Sequence, residues 1–342
     1  MQIVRENLWI ATNQSLTSLN GLDNLQEVGE SLQVLNNPEI TNLDALRSLI
    51  KVGSIVVLNN SKLEDIDQLN SLEEIEGGII IQSNPSLLAI DAFNNIESLN
   101  GVLFVEKNAA LLEVTGFENL KSCLQMTISG NDNLLRLNSF ENLSSIGPIR
   151  ITDNPALNAI VGFNNLTSTQ QDIGSIDIEN NVSLIEFDAL QNLTLINGHL
   201  NISWNSSLET ISLPNLEKIE ASLSISWNAK LISTMGFAAL EIVNGDVVIA
   251  RNDELTQLSG FDLLNEIGED LTIGNNGSLE SLKTFENLSI LGGSIYIHSN
   301  TSLTDFCGLT HLMESGWSGN CSITDNNYNP DCSEIIEATC SL

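Results

Sequence analysis

The chain alternates short strand-like stretches with longer segments in which an apolar residue recurs at every third position. Leu271 and Ile273 flank a single polar residue, which is the period of a half-buried β-strand. The steps of three run through Leu255, Leu258 and Phe261. That spacing is typical of tight turns, 3₁₀ pieces and short extended segments. The pattern therefore predicts a short strand that leads into an irregular coil.

This unit repeats along the chain, and each copy is centred on an asparagine. Aliphatic residues stand five and three positions before it, and Leu, or Ile40 in one copy, stands three positions after it. The asparagines follow one another at intervals of 23 or 24 residues, and once of 27: Asn13, Asn37, Asn60, Asn84, Asn108, Asn131, Asn154, Asn181, Asn205, Asn228, Asn252, Asn276 and Asn300. A strand this short cannot bury its own face, so the copies must stack. We predict a mainly β fold, a single β-solenoid of about 13 turns with one parallel sheet.

The recurrent asparagine is predicted to be structural. Its amide carries two donors and an acceptor, and stacked copies can satisfy the backbone groups of a buried corner. Asparagine also tolerates the left-handed conformation that such a corner requires. We therefore expect a ladder of framework residues along the solenoid, not a row of ligand contacts.

Charge and composition narrow the function classes. The 342 residues include 12 Lys and Arg against 44 Asp and Glu, a net charge of −32, while 42% of residues are hydrophobic. The apolar content argues against disorder. The acidic balance argues against nucleic-acid partners and anionic lipid surfaces, since both need a basic patch. Apolar runs are only strand-sized, so we expect no direct membrane insertion.

Four of the five cysteines lie at the C-terminal end, where the repeat breaks down. They predict a disulfide-stapled cap over residues 307–342, after a solenoid over residues 1–306, in an oxidising compartment. Four cysteines allow three pairings. We favour Cys307–Cys340 enclosing Cys321–Cys332, which ties the tail to the last turn. Cys123 stands at an inward apolar position, which predicts a buried free thiol.

The N-terminal end lacks a recognisable cap. Val4 already falls on the last apolar position of a preceding turn. A solenoid needs polar caps at its ends to stay soluble. We therefore expect the natural protein to continue upstream of Met1.

Two stretches carry a family resemblance. Gly245–Leu255 and Gly268–Leu279 both show the Asn-x-x-Leu spacing and resemble the receptor L-domain family. That family includes the ligand-binding domains of growth-factor-type receptors, fungal cell-wall glycoproteins and repetitive secreted surface proteins of Bacteroidetes. The tail from Cys307 through Asn329-Pro330 to Cys340 looks most like the bacterial branch. The resemblance implies a right-handed, leucine-rich-repeat-like solenoid with an extracellular binding role, and it implies no catalytic residue. We predict no cofactor and no metal site.

The outward strand positions of the early turns are unusually apolar. A contiguous apolar patch on a protein surface usually marks a contact surface. Here it serves an external partner, or it is covered by a neighbouring domain or an upstream segment of the same chain. The patch consists of Trp9, Leu35, Val56, Leu58, Ile80 and Phe104.

Two further groups are candidates for binding or chemistry. Trp204 and Trp227 stand one turn apart, each just before its ladder asparagine. They could offer a platform to a sugar ring or a partner side chain, or could stack on each other and shield a corner. Asp177 and Glu179 share the outer face of one turn beside Arg150, an arrangement that a glycosidase could use. A solvated acidic face is the preferred interpretation of these carboxylates.

Together these features predict a non-enzymatic, secreted or cell-surface module for binding or adhesion that presents a rigid sheet face. Its partner would be a protein or glycan on a cell surface, or a neighbouring domain of a longer chain. The alternative is a structural spacer or self-assembling surface protein. A polysaccharide-active enzyme is the least favoured hypothesis.

Overall fold

The computed structural model describes residues 2–171, 174–336 and 339–342. The chain forms two compact units, Met1–Leu166 and Thr167–Leu342. Each unit is a parallel β-solenoid built from short strands joined by irregular coils, and the turns number about 13 in the described residues. The predicted fold class, a mainly β solenoid with a parallel sheet, is confirmed.

The first unit stacks its main strands in parallel, in register from one turn to the next. Ile55 pairs with Ile79, and Ile79 with Leu103, so side chains of one kind lie above one another and are buried. This ladder forms because alternate side chains of a strand point to opposite faces of the sheet. The main strands are Ile3–Val4, Leu8–Ala11, Glu27–Leu35, Lys51–Leu58, Ile79–Gln82, Val102–Glu106, Gln125–Ser129 and Ile149–Thr152.

Shorter segments close each turn of the first unit. Phe93, Phe117, Phe140 and Phe163 stack in the core, with neighbouring ring centroids 5.2–5.8 Å apart. The 3₁₀ helices are Asp44–Leu46 and Asp67–Ser71. The short strands are Glu74–Ile75, Ala89–Ile90, Glu113–Val114, Ser122–Cys123, Arg136–Leu137, Ser145–Ile146 and Ala159–Ile160.

The second unit repeats this construction. Val247, Leu271 and Ile295 form its inward ladder, and Phe237, Phe261 and Phe285 stack in its core. Its main strands are Ile176–Glu179, Leu200–Ser203, Leu223–Ser226, Val247–Ala250, Leu271–Gly274, Ile295–His298 and Cys321–Thr324. Its short strands are Glu186–Phe187, Leu195–Ile196, Thr210–Ser212, Lys218–Ile219, Ser233–Gly236, Ile242–Val243, Glu266–Ile267 and Ile290–Leu291. Its helices are the 3₁₀ segments Lys283–Phe285 and Cys307–Leu309 and the α-helices Thr310–Glu314 and Cys332–Ile336.

The ladder asparagines are buried in both units, apart from Asn13 at the first turn. The side-chain oxygen of Asn108 accepts from the backbone N–H of Asn84 at 3.0 Å. Its amide nitrogen donates to the carbonyl of Ile81, also at 3.0 Å. The same bonds recur at Asn252 in the second unit, so the polar groups of this buried corner are satisfied turn after turn.

The left-handed backbone conformation falls one residue before the ladder asparagine, not on it. The preceding residues that are not glycine have φ between 54° and 60°, as at Lys107, Trp204 and Arg251. The chain leaves the strand at this residue, so the following asparagine can turn its backbone N–H and side chain toward the neighbouring turns. The corner residues therefore form a surface column beside the buried ladder.

Disulfides close the C-terminal segment, and their pairing is the one we favoured. Cys307 is bonded to Cys340 and Cys321 to Cys332. The repeat also extends further into this segment than the sequence suggested. The strand Cys321–Thr324 pairs with Ile295–His298, and Asn326 accepts from the backbone N–H of Asn300 at 3.0 Å.

Cys123 in the first unit is a buried free thiol, as predicted. Burial raises its pKa to about 12. The thiol therefore stays protonated at neutral pH and acts as a small apolar side chain. Among the residues described, no helix has the length and apolar character needed to span a membrane.

Candidate functional site: the outer sheet face and the tryptophan corner

The apolar patch lies on the outer face of the first unit's sheet. Val56, Ile80 and Phe104 are direct neighbours on three successive strands. Leu35 and Leu58 pair in the adjacent row. All five side chains are partly exposed, and together they form one uncharged surface.

Trp9 is set somewhat apart from these five residues. Its direct neighbour is Gln33, which separates it from Val56 along the row. It stands diagonally across from Leu35 on the next strand, a separation that an aromatic side chain can span. With 67% of its surface exposed, Trp9 is the most accessible member of the patch.

Polar side chains bound the patch on both rows. Phe104 is followed by Thr127, and Leu58 is followed by Gln82. Glu106, the next residue of that second row, brings the first carboxylate. The patch is therefore a limited apolar area with a polar margin, which is the usual composition of a protein contact surface.

Trp204 and Trp227 form a stacked pair at the corner column of the second unit. Their ring centroids are 4.2 Å apart and the planes differ by 10°. The Arg251 guanidinium lies 4.2 Å from the Trp227 centroid. Because these residues occupy one position in three successive turns, Arg251 covers the face of Trp227 that Trp204 leaves open. The mutual-stacking alternative thus describes this corner, and the exposed parts of the Trp227 ring are its edges.

Arg251 was not found from the sequence, although a signal was available. It stands directly before Asn252, as each tryptophan stands before its own ladder asparagine. Its φ of 58° matches theirs at 60°. Reading the corner residues as one column would have placed Arg251 on the indole pair.

The acidic turn at the start of the second unit also gains a residue that sequence reasoning missed. His199 Nε2 lies 2.9 Å from Asp177 Oδ1, and 42% of the His199 side chain is exposed. Asp177 and Glu179 are two residues apart on one strand and so share a face. Arg150 belongs to the first unit. Within the described residues, no group of three or more His, Cys, Asp or Glu side chains could hold a metal ion.

Comparison with solved structures finds similar chains of low sequence identity. A leucine-rich repeat protein from Bacteroides ovatus ATCC 8483 is 14% identical, with a TM-score of 0.40, and the match covers 95% of this chain and 83% of that one. The pneumococcal vaccine antigen PcpA is 13% identical, with a TM-score of 0.22, and the match covers 95% and 89% of the two chains. No curated protein matches the sequence.

A family model gives the more specific result. The model described as Receptor L domain matches residues 2–92 and 241–327, which together make up more than half of the chain. The first match contains most of the apolar patch, and the second contains Arg251. The regular turns, the buried asparagine ladder and these two matched segments agree, and the chain belongs to the receptor L domain family.

Proposed function

We propose that this protein is a non-enzymatic, extracellular binding module that contacts a protein partner through the apolar patch of its first unit. The observation that carries the proposal is the in-register row Val56, Ile80 and Phe104 on an outer sheet face. Family membership supports a binding role. The two disulfides support an oxidising compartment, such as the cell exterior.

The dimensions and chemistry of the patch suit a protein surface. It extends over five successive main strands, which at a strand spacing of about 4.8 Å corresponds to roughly 19 Å. Trp9 is of a residue type that often dominates the binding energy of such interfaces, and Phe104 is of a type enriched in their buried cores. A glycan would instead need hydrogen-bonding groups, and the patch offers few of them.

Self-association is the second candidate function, and the same patch motivates it. A second copy of the chain could bury Val56, Ile80 and Phe104 against its own patch, as in a spacer or a self-assembling surface protein. Such an interface is isologous, so it would produce dimers. The patch variants and the oligomeric state of the protein therefore separate the two candidates.

The first experiment places a photo-crosslinking residue on the patch. The variant Ile80→p-benzoylphenylalanine is irradiated together with intact cells collected from the habitat of the source organism. It should form a crosslink to a protein on the surface of those cells. Thr272→p-benzoylphenylalanine, at the corresponding outward position of the second unit, should not. Equal capture by both variants, or capture of nothing at position 80, would contradict the proposal. Capture of another copy of this chain would instead support self-association.

The second experiment measures the affinity for the captured protein. Val56→Ser combined with Phe104→Ser should weaken binding by at least tenfold, since both side chains lose apolar contact area. Val248→Ser removes a valine from the corresponding row of the second unit and should leave the affinity unchanged. Analytical ultracentrifugation of the same variants reports any change in oligomeric state.

A further inference from the structure

A groove runs along the second unit beside the tryptophan corner. Its walls are the residue before and the residue after the buried ladder asparagine in four successive turns. Four turns at about 4.8 Å give the groove a length of roughly 14 Å between the first and last walls. The lining residues that matter below are Trp227, Arg251, Asp253, Asn275, Gly277 and Thr301.

Arg251 is held in place at this groove. Its guanidinium carbon lies 4.2 Å from the centroid of the Trp227 ring, and this contact uses none of its N–H donors. In the part of the chain that the structure describes, no carboxylate lies within ion-pair distance of Arg251. Arg251 lines the groove, so its N–H donors are available to a ligand there.

The other walls supply complementary groups. Asp253 follows the ladder asparagine of the same turn as Arg251 and contributes carboxylate oxygens as hydrogen-bond acceptors. Asn275, one turn further, brings both an acceptor and donors. The Thr301 hydroxyl donates to the Gly277 carbonyl at 3.2 Å, which leaves its lone pairs available as acceptors. The groove thus alternates donors and acceptors along its length.

We propose that this groove binds a neutral saccharide chain. Vicinal hydroxyls both donate and accept, so they can bridge the guanidinium of Arg251 and the carboxylate of Asp253 and continue to Asn275. The exposed edge of Trp227 provides an apolar contact for the C–H groups of a sugar ring. The net charge of −32 disfavours a polyanionic chain. The polar groups of Arg251, Asp253 and Asn275 suit the hydroxyls of a saccharide better than the apolar side chains of a peptide.

This site is independent of the protein-binding patch, because all of its residues lie in the second unit. It also differs from the sugar platform considered from sequence. There the flat faces of Trp204 and Trp227 would carry the ring, whereas here stacking covers the face between them and Arg251 covers the other face of Trp227. Substitutions in the groove should therefore weaken saccharide binding but not protein binding, and substitutions in the apolar patch should do the reverse.

Gly277 allows a clean test of the groove. A Cβ atom at Gly277 would meet only the Thr301 hydroxyl, at 3.6 Å, which is ordinary van der Waals contact. Gly277→Leu therefore fills the groove while the backbone and the asparagine ladder remain as they are. Ala109→Leu is the matched control, since Ala109 follows the ladder residue Asn108 in the first unit.

The experiment titrates the full chain with cello-, laminari-, manno- and xylo-hexaose, and with hexagalacturonate as the acidic arm, and follows tryptophan fluorescence and calorimetric heat. We expect at least one neutral hexaose to bind. Gly277→Leu and Arg251→Ala should each weaken that binding by at least tenfold, with the thermal midpoint of Gly277→Leu and the affinity of Ala109→Leu unchanged. Binding of no neutral hexaose, binding of hexagalacturonate alone, or binding that survives Gly277→Leu would overturn the proposal.

Discussion

The two units share their inward positions but differ on the outer face of the sheet. In the first unit, Val56, Ile80 and Phe104 occupy successive outward positions, whereas the second unit has residues such as Asn201 and Ser224 there. The inward ladders are aliphatic in both units. The difference shows that the inward residues and the asparagine carry the fold, while the outer face is free to carry a binding surface.

The largest expected effect tests whether the asparagine ladder contributes equally to the stability of the two units. Asn108→Ala and Asn252→Ala each remove a side-chain oxygen that accepts from the backbone N–H of the preceding ladder asparagine, and a side-chain amide that donates to a strand carbonyl, so buried polar groups lose these partners. At about 1–3 kcal/mol for each unsatisfied group, we expect each variant to lose about 3–5 kcal/mol of unfolding free energy. Urea denaturation followed by circular dichroism measures both losses.

Asn13→Ala is the control for the ladder variants. Asn13 is exposed at the first turn and its side chain donates to Asn37 at 3.0 Å, so its removal should cost no more than about 1 kcal/mol. A loss at Asn108 that is as small as the loss at Asn13 would show that the buried ladder is not a principal source of stability. A large difference between Asn108 and Asn252 would show that the two units use it differently.

The second prediction concerns the disulfides, which the structure places in the second unit. Cys307→Ser with Cys340→Ser removes a cross-link between residues 33 positions apart, for which loop-closure entropy gives about 3–4 kcal/mol. We expect faster hydrogen exchange in peptides of the second unit and unchanged exchange in most of the first, as measured by mass spectrometry. Cys123→Ala, which breaks no cross-link, serves as the control. Equal acceleration in both units would contradict a local role for the bridge.

The inward framework could be predicted because it repeats the same residue types at one interval. Each ladder asparagine has aliphatic residues five and three positions before it, so every turn can be identified from its own short stretch of sequence. The strand Cys321–Thr324 was harder to find, because a cysteine replaces one of those aliphatic residues and Asn326 follows Asn300 by 26 positions. The cysteines of this segment indicated a disulfide-linked cap, and the additional turn of the repeat was therefore not predicted.

The candidate sites were less predictable, because outward residues are not constrained by the repeat. The apolar row of the first unit stood out since several large side chains share one position. The groove did not, because Arg251, Asp253 and Gly277 are unrelated residue types that only the stacking of turns brings to one surface. The His199–Asp177 contact likewise joins residues that are 22 positions apart, so they do not occupy equivalent positions of the repeat.

The third prediction compares the corner columns of the two units. Lys107 and Trp227 both have left-handed backbones, with φ of 55° and 60°, a conformation that glycine adopts more easily. Lys107→Gly should therefore stabilise the protein slightly, by up to about 1 kcal/mol. Trp227→Gly removes the same unfavourable backbone conformation for a non-glycine residue, but it also loses the contacts with Trp204 and Arg251. It should therefore destabilise the protein by about 1 kcal/mol. Thermal unfolding of both variants measures the two changes, and equal changes would show that the indole stack contributes nothing.

The smallest expected effect comes from a group of aspartates in the first unit. Partial desolvation of the Asp67 carboxyl, together with the charges of Asp65 and Asp91, raises the pKa of Asp67 above its ordinary value of 3.8. The ionised carboxylate is therefore less favourable in the folded state, and this cost applies at pH 7 but disappears once the pH falls below 3.8. Asp67→Asn should raise the unfolding free energy by about 0.3 kcal/mol at pH 7, small because the side chain is exposed, and by nothing at pH 3. Urea denaturation at the two pH values measures the difference.

Glu118→Gln, a neutral substitution elsewhere in the same unit, is the control for lost charge alone. A gain at pH 3 that equals the gain at pH 7 would assign the effect to packing rather than to charge crowding.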